Sequence, residues 1–381
     1  MLGDNPTKKT YKYRIYPNKQ TTDNLNNVLD KCRFLYNLCL EQRRDAYKKW
    51  NISVSWITQC KQLTGIRDSF EEYNALPSHV LQDVIKRLDK AFQGFFRRIK
   101  KGETPGYPRF KSKDRYNSFM YPDKSGWKVI DKKLKLSGIG ECNIKLHRPI
   151  EGNIKTATIL KECNLWYVAF SCDNVITKKL RHNKKAIGID VGLESFLTDS
   201  EGNKIESPRH MKKSEEKLKK IQQKLSRQKK GSNRRNKTKQ LLSKTHEHIR
   251  NQRKDFQHKL ALTYVKQYGK ICIEKLNNWK TYGSINKSMR DASWFQFFEI
   301  LKYKAEEAGR EVIEVNPKNT SQNCSRCGET VKKELSDREH NCPHCGLTID
   351  RDYNSALNIL KLGTSNQYLS PPSKVLRSLL L

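Results

Sequence analysis

No long apolar run occurs in this sequence. Nothing in its 381 residues approaches the roughly 18 consecutive apolar residues that span a bilayer, so no transmembrane helix is expected. Met1–Gln20 lacks the apolar core of a secretory signal peptide. Acid is scarce as well: 40 Asp and Glu stand against 76 Lys and Arg, a formal net charge of +36. Such an excess has to be neutralised by a polyanion in use, and with no apolar anchor that polyanion is nucleic acid rather than a membrane. No internal repeat is visible, so a repeat architecture is not expected.

Cysteine is present, but not in the pattern of a secreted disulfide scaffold. Seven of the 11 are scattered: Cys32, Cys39, Cys60, Cys142, Cys163, Cys172 and Cys272. Without a secretion signal these read as small buried hydrophobes in a reducing cytosol. The other four form two CxxC pairs, Cys324–Cys327 and Cys342–Cys345, each followed by glycine, Gly328 and Gly346. Glycine there permits a tight knuckle whose amides point at thiolate sulfur. Four thiolates make a closed tetrahedral zinc site, structural rather than catalytic, whereas a redox site would use one pair. The neighbouring His340 and His344 read as surface histidines.

The chain length suggests two or three domains. Tyr11, Tyr13 and Ile15 alternate with polar residues up to Pro17, a strand pattern. Leu25, Val28, Leu29, Cys32, Leu35, Tyr36 and Cys39 fall at helical spacing, as do Leu81, Val84, Ile85, Leu88, Phe92 and Phe95. A less regular helical stretch, Trp56 to Phe70, lies between them. After Gly102–Gly106 the pattern changes to short strands with turns, up to about Val175, which predicts a small barrel. The first strand belongs to that barrel, with the helices inserted into it.

A basic link, Lys178 to Arg181, leads to a second pattern. Ala186–Asp190 and Lys270–Glu274 are short apolar strands, each ending in an acid. Ser200–Asn203 reads as a hairpin turn. From Lys212 to Tyr268 the sequence is helical; Leu242, Ile249 and Phe256 recur every seven residues, a seam for a helical pair hinged at Gly231-Ser232-Asn233. Trp294–Ala308 is helical, Glu311–Val315 a strand, and a last helix begins near Asp350. Past Gly363 a loose tail is expected.

Asp190, Glu274 and Asp352 form the candidate catalytic set. Hydrolysis of a phosphodiester at neutral pH needs charge neutralised on the phosphate and a water made nucleophilic, which two Mg²⁺ ions can do. Hard cations want carboxylates converging from separate elements. Each acid alone is ordinary, since Asp at a strand end is most often a turn or cap residue. Their order, strand-acid, strand-acid, helix-acid, is that of a ribonuclease H-like nuclease. Gly188 and Gly192 flank Asp190 and hint at close backbone approach. Asp350 sits where an N-cap belongs, and Asp352 lies in the first turn beside the apolar face Tyr353, Ala356, Leu357 and Leu360, so Asp352 is taken as the ligand and Asp350 as the cap.

At these residues the chain resembles TnpB, the transposon-encoded relative of type V CRISPR effectors. The similarity runs through Tyr11–Pro17, Cys32-Arg-Phe-Leu-Tyr-Asn, Pro105–Lys113, Ala186–Gly192, Asn251–Lys259, Ile273–Asn277, Asn319–Gly328 and Asp350–Ile359. The resemblance implies an RNA-guided DNA endonuclease with a guide RNA from the end of the mobile element, a double-stranded DNA target and a short adjacent motif. It implies an α+β multidomain chain. Residues 1–20 and 106–175 would form a wedge β-barrel, with 21–105 a helical recognition insertion. Residues 181–319 and 349–362 would form a RuvC nuclease core, 320–348 a zinc-bearing target-nucleic-acid-binding element, and 363–381 a flexible tail. Asp190, Glu274 and Asp352 would hold Mg²⁺, and Cys324, Cys327, Cys342 and Cys345 one Zn²⁺. The expected location is the cytoplasm of a prokaryote, on the nucleoid when bound to DNA.

Basic runs at Arg97–Lys101 and Lys229–Lys239 suit backbone contacts to such duplexes, although a charge run is often only a solvated face. Phe110, Tyr121 and Trp127 lie among basic residues and could stack on bases; packing in the barrel core is the plainer role. A compact CRISPR effector shares all of this chemistry, with small size favouring the mobile-element setting. A guided DNA-binding regulator would lack the acids, and a guide-free resolvase would not need the first 180 residues.

Overall fold

The computed structural model describes residues 7–177, 179–276, 289, 291–334 and 337–365. They fall into two compact units, Met1–Ile176 and Thr177–Leu381.

In the first unit β1 (Thr7–Tyr16) turns Tyr11, Tyr13 and Ile15 inward, as the alternation predicts. The chain leaves the sheet into α1 (Lys19–Trp50), capped by the Asn18 side chain, which accepts from the Thr21 amide at 2.7 Å. Helices α2 (Trp56–Ser69), α3 (Glu71–Asn74) and α4 (Ser78–Lys100) follow. The chain then returns as β2 (Ser118–Tyr121), β3 (Trp127–Ile130), β4 (Lys133–Leu136), β5 (Gly140–Lys145), β6 (Asn153–Glu162) and β7 (Leu165–Val175). The sheet is antiparallel with order β2-β6-β7-β1-β5-β4-β3, so the first strand ends up near its middle. It curls into a nearly closed barrel: Tyr121, ending the edge strand β2, donates its hydroxyl at 3.0 Å to the carbonyl of Ser137, which follows β4, the strand next to the other edge strand β3. Sheet and helices share one apolar core, in which Leu25, Cys32 and Leu35 of α1 and Leu81, Val84 and Ile85 of α4 are buried with the barrel interior. Tyr121 and Trp127 belong to that core, which removes them as stacking candidates; Phe110 is exposed, with the Arg44 guanidinium 5.2 Å above its ring.

The second unit opens with β8 (Ala186–Asp190), β9 (Ser195–Asp199) and β10 (Lys204–Glu206). Next come α5 (His210–Lys213), α6 (Glu215–Arg227) and α7 (Asn233–Gln267), the last two forming the expected helical pair. Gly231 takes φ 85° at the hinge, and the Ser232 hydroxyl caps α7 by accepting from Arg235 N at 3.2 Å. Then β11 (Lys270–Glu274), α8 (Trp294–Ala308) and β12 (Glu311–Val315) make a parallel crossover. The unit ends with a short hairpin, β13 (Glu339–Asn341) and β14 (Thr348–Asp350), and α9 (Arg351–Thr364). Helix α9 runs through Gly363 to Thr364, two residues into the stretch expected to be a tail; 366–381 lie outside the described residues. Among the described residues no helix is long and apolar enough to cross a membrane.

The five-stranded sheet has order β10-β9-β8-β11-β12, with β8, β11 and β12 parallel. Parallel strands need cover on both faces, and these have it. Ile187, Ile189, Ile271 and Ile273 are buried against α7 and α8. The intervening positions, Gly188 and Cys272, face α9. The Asn251–Lys259 stretch is structural here: Arg253 pairs with Asp291 at 3.2 Å, and Gln257 donates to the Ala292 and Ser293 carbonyls, holding the lead-in to α8.

Candidate metal and acid sites

The cysteine site is built from two knuckles of the same design. Cys324 N donates to Glu329 O and Gly328 N to Cys324 O; Cys342 N donates to Leu347 O and Gly346 N to Cys342 O, all at 2.9 Å. Gly328 and Gly346 close them at φ 84° and 69°, a left-handed backbone suited to glycine. The four Sγ atoms lie within 4.8 Å of one another, with Cys324–Cys345 and Cys327–Cys342 at 3.6 Å. That is far too long for a disulfide and close to the edge of a tetrahedron drawn around a metal with bonds of about 2.3 Å to sulfur. Burial opposes ionisation of Cys324, but the amides of Cys327 and Arg326 and the His340 imidazole outweigh it and lower the thiol, while Cys327 and Cys345 are raised beside the other sulfurs, so these thiols share one ionisation rather than acting singly. The quartet therefore fits a structural zinc. His340 corrects the surface reading: it is fully buried, with Nδ1 against the Lys333 ammonium, because the β13–β14 hairpin turns it inward. His344 is exposed as expected.

The acids are gathered by strand register. Pairing runs Ile271 with Ile187, Cys272 with Gly188 and Ile273 with Ile189, so Asp190 and Glu274 end adjacent parallel strands at equivalent positions. Equivalent positions share a face, here the α9 face. Helix α9 comes very close to it: a Cβ on Gly188 would stand 2.2 Å from the Ala356 carbonyl oxygen, and one on Gly363 2.3 Å from Cys272 Sγ. Asp352 precedes Ala356 by one helical turn, on the same stripe, and its Oδ2 would be 3.6 Å from a Cβ at Gly192. Gly188 thus admits the helix that carries the third acid, whereas a side chain at Gly192 would meet Asp352 only in ordinary contact.

All three carboxyls are held above the usual carboxylate range. Asp190 is raised first by burial and then by the charges of Glu274 and Asp352. Burial raises Glu274, with the Thr320 hydroxyl working the other way. Burial and then Asp350 raise Asp352, against Arg351, Lys204 and Arg338. Among the described residues the cysteine quartet is the group whose ligand atoms all fall within 4.8 Å, so the acids stand somewhat wider apart. Asp350 is the cap: its Oδ1 accepts from the amides of Asp352 and Tyr353, each at 3.0 Å, and Oδ2 from Lys204 at 2.6 Å.

Four polar residues around the acids carried no expectation from sequence. Besides Lys204 they are Thr320, whose hydroxyl donates to Glu274 Oε1, and Asn354 and Asn358 of α9. The two asparagines lie one turn apart and both are buried, and nothing in their spacing marks them out from the sequence.

A family profile described as "Probable transposase" matches residues 169–282, one described as "Cas12f1-like, TNB domain" matches 294–359, and a "Helix-turn-helix domain" profile matches 3–51. That last stretch holds strand β1 and one 32-residue helix rather than a helix-turn-helix. The chain is 31% identical to a "Putative RNA-guided DNA endonuclease" of Streptomyces pristinaespiralis, over 93% of this chain and 89% of that protein. It is 28% identical to "Putative RNA-guided DNA endonuclease InsQ" of Escherichia coli (strain K12), over 93% and 92%. In architecture it is similar to the protein of a Cas12f1–sgRNA–target DNA complex, with TM-score 0.57 at 14% identity over 93% of this chain and 98% of that one. The fold is thus that of the compact Cas12-like effectors. By its likeness to relatives along nearly its whole length, the chain belongs to the TnpB family.

Proposed function

We propose that this chain is an RNA-guided DNA endonuclease of a mobile element, cutting target DNA next to a short adjacent motif in a RuvC-type, ribonuclease H-like site. The observation that carries this is the convergence of Asp190, Glu274 and Asp352 on one face of the β8–β11 sheet, each partly buried and short of compensating positive charge. Buried acids of like sign are costly to keep together unless a cation joins them. The donor set is all carboxylate, which suits Mg²⁺. Two Mg²⁺ ions bound there would neutralise the scissile phosphate and lower the pKa of a water nucleophile. The protein's part is to hold the carboxylates: Asp190 and Glu274 on rigid strand ends, and Asp352 on a helix start kept in place by the Asp350 cap.

On this proposal residues 181–319 and 349–362 are the nuclease core and 320–348 the zinc element beside it. Residues 1–20 and 106–175 are the wedge barrel, 21–105 the recognition insertion. The excess charge serves the guide RNA and DNA backbones. Arg97, Arg98, Lys100 and Lys101 at the end of α4, and Lys229 and Lys230 between α6 and α7, are solvent-facing. The names of the two relatives, both of which contain "RNA-guided DNA endonuclease", support the guided activity. The chain would act in a prokaryotic cytoplasm. The test is to express it with its flanking DNA, sequence the RNA that co-purifies, and challenge the complex with plasmids bearing matching or scrambled targets. Cutting of the matched plasmid alone, lost after ribonuclease treatment, is expected. Equal cutting of both plasmids would overturn the guided reading.

A further inference from the structure

The loop that leads into the zinc knuckles passes directly beside the second acid. Thr320, buried, donates its hydroxyl to Glu274 Oε1. The same hydroxyl oxygen lies 3.1 Å from the Pro317 carbonyl. A threonine has one hydrogen to give, and an ionised carboxylate is the stronger acceptor. The bond ties up Oε1 and leaves Oε2 as the free oxygen of the carboxylate.

Thr320 is itself held from the other side. Asn358 Nδ2 donates to the Thr320 carbonyl at 2.9 Å and to the Asn323 carbonyl at 2.8 Å. Asn354 Nδ2 donates to the same Asn323 carbonyl at 2.8 Å, and its Oδ1 accepts from Ser325 N at 2.9 Å. Asn354 is fully buried and Asn358 nearly so. Both project from α9, the helix whose first turn carries Asp352. The stretch 320–325 is therefore clamped between Glu274 on one flank and the Asp352 helix on the other, and it runs straight into Cys324. Buried amides that spend their hydrogen bonds on one short loop fix its path, since any shift would leave them unsatisfied.

We propose that Thr320 is a positioning residue for Glu274, orienting the carboxylate so that Oε2 faces Asp190 and Asp352, and that the Asn354–Asn358 clamp links the zinc element to this orientation. The inference rests on Glu274 being a metal ligand. Partners that orient a ligating carboxylate commonly change metal affinity or activity by about 10–100-fold when removed.

The test uses Thr320→Val, which keeps shape and removes the hydroxyl, and Thr320→Ser, which keeps it. Cleavage of a matched target by the guided complex is titrated with Mg²⁺. Separately, Mn²⁺ binding to the full chain is followed by electron paramagnetic resonance, with Glu274→Ala defining the signal from the acid site. Expected for Thr320→Val are a rise of about tenfold or more in the Mg²⁺ needed for half-maximal cleavage and a matching loss of Mn²⁺ affinity. Thr320→Ser should stay near wild type, and zinc content and guided DNA binding should be unchanged in both. Should valine not be accommodated, Thr320→Ala gives the same comparison. Wild-type metal dependence in Thr320→Val, or a Thr320→Ser protein as impaired as Thr320→Val, overturns the inference while an inactive Glu274→Ala leaves the metal site standing. A cleaving Glu274→Ala protein overturns the metal site itself, and the inference with it.

Discussion

The carbonyl oxygen of Ala356 occupies the space where a side chain on Gly188 would begin; a Cβ there would come within 2.2 Å of it and within 2.7 Å of the Leu360 amide. Both neighbours are helix backbone and cannot rotate away. Gly188→Ala must therefore lift α9 from the sheet, and overpacking of this kind costs about 1–3 kcal/mol. Since Asp352 rides on that helix, Gly188→Ala is expected to lower both the unfolding midpoint and cleavage. A variant as stable and active as wild type would mean that α9 does not seat on β8 in this way.

Asp350 and Asp352 should separate cleanly. Asp350→Ala removes the cap of α9, a loss of roughly 0.5–2 kcal/mol that leaves cleavage measurable. Asp352→Ala, like Asp190→Ala and Glu274→Ala, should abolish cleavage and spare guided DNA binding. Plasmid cleavage alongside filter binding checks this, and a dead Asp350→Ala with an active Asp352→Ala reverses the two roles.

The raised carboxyls give a pH signature. In magnesium-free buffer the folded chain retains protons on Asp190, Glu274 and Asp352 in a range where the unfolded chain, with carboxyl pKa values of about 4, has released them. Their contribution to stability is thus full below the unfolded values and declines as pH rises towards the folded ones. Asp190→Asn cannot acquire the unfavourable charge. It should melt above wild type at pH 7.5, with the gap closing near pH 4, and it should not cleave. Added Mg²⁺ should raise the wild-type midpoint more at pH 7.5 than near pH 4. Melting curves of the two proteins across this range decide it; a gap independent of pH would mean that burial and the neighbouring acids do not hold the Asp190 carboxyl protonated in the folded chain.

One zinc per chain is expected from elemental analysis of protein purified without chelator. Cys324→Ser or Cys342→Ser should release it and loosen the 320–325 stretch. Cleavage should then fall because Glu274 and Asp352 lose their supports, with no role for zinc in the reaction itself. Protein that is free of zinc yet fully active would show that the knuckles are not needed to hold the acids.

Much of the local structure was legible from residue spacing. The alternation of Tyr11, Tyr13 and Ile15, the helical period through Leu25 to Cys39, the doubled CxxC-Gly and the choice of Asp350 as cap over Asp352 all depend on neighbours a few residues apart, and the structure agrees with each. The charge excess, likewise a property of composition alone, pointed to nucleic acid. Other features needed the folded chain. Nothing local distinguishes His340 from His344, yet the hairpin buries the first and leaves the second in solvent. Tyr121 and Trp127 sit among lysines in sequence but face inward once β2 and β3 take their places at the edges of the curled sheet. Asp190 and Glu274 become neighbours only because β8 and β11 pair in parallel, and the clamp from Asn354 and Asn358 to the 320–325 loop exists only because α9 settles on two small residues, Gly188 and Cys272. By itself the sequence determined which short segments become strands, helices and knuckles, since propensity, period and capping act over one or two turns. Which side chains share a face, and which polar groups must satisfy one another inside, the tertiary structure alone decided, because register and burial depend on contacts between segments far apart in the chain.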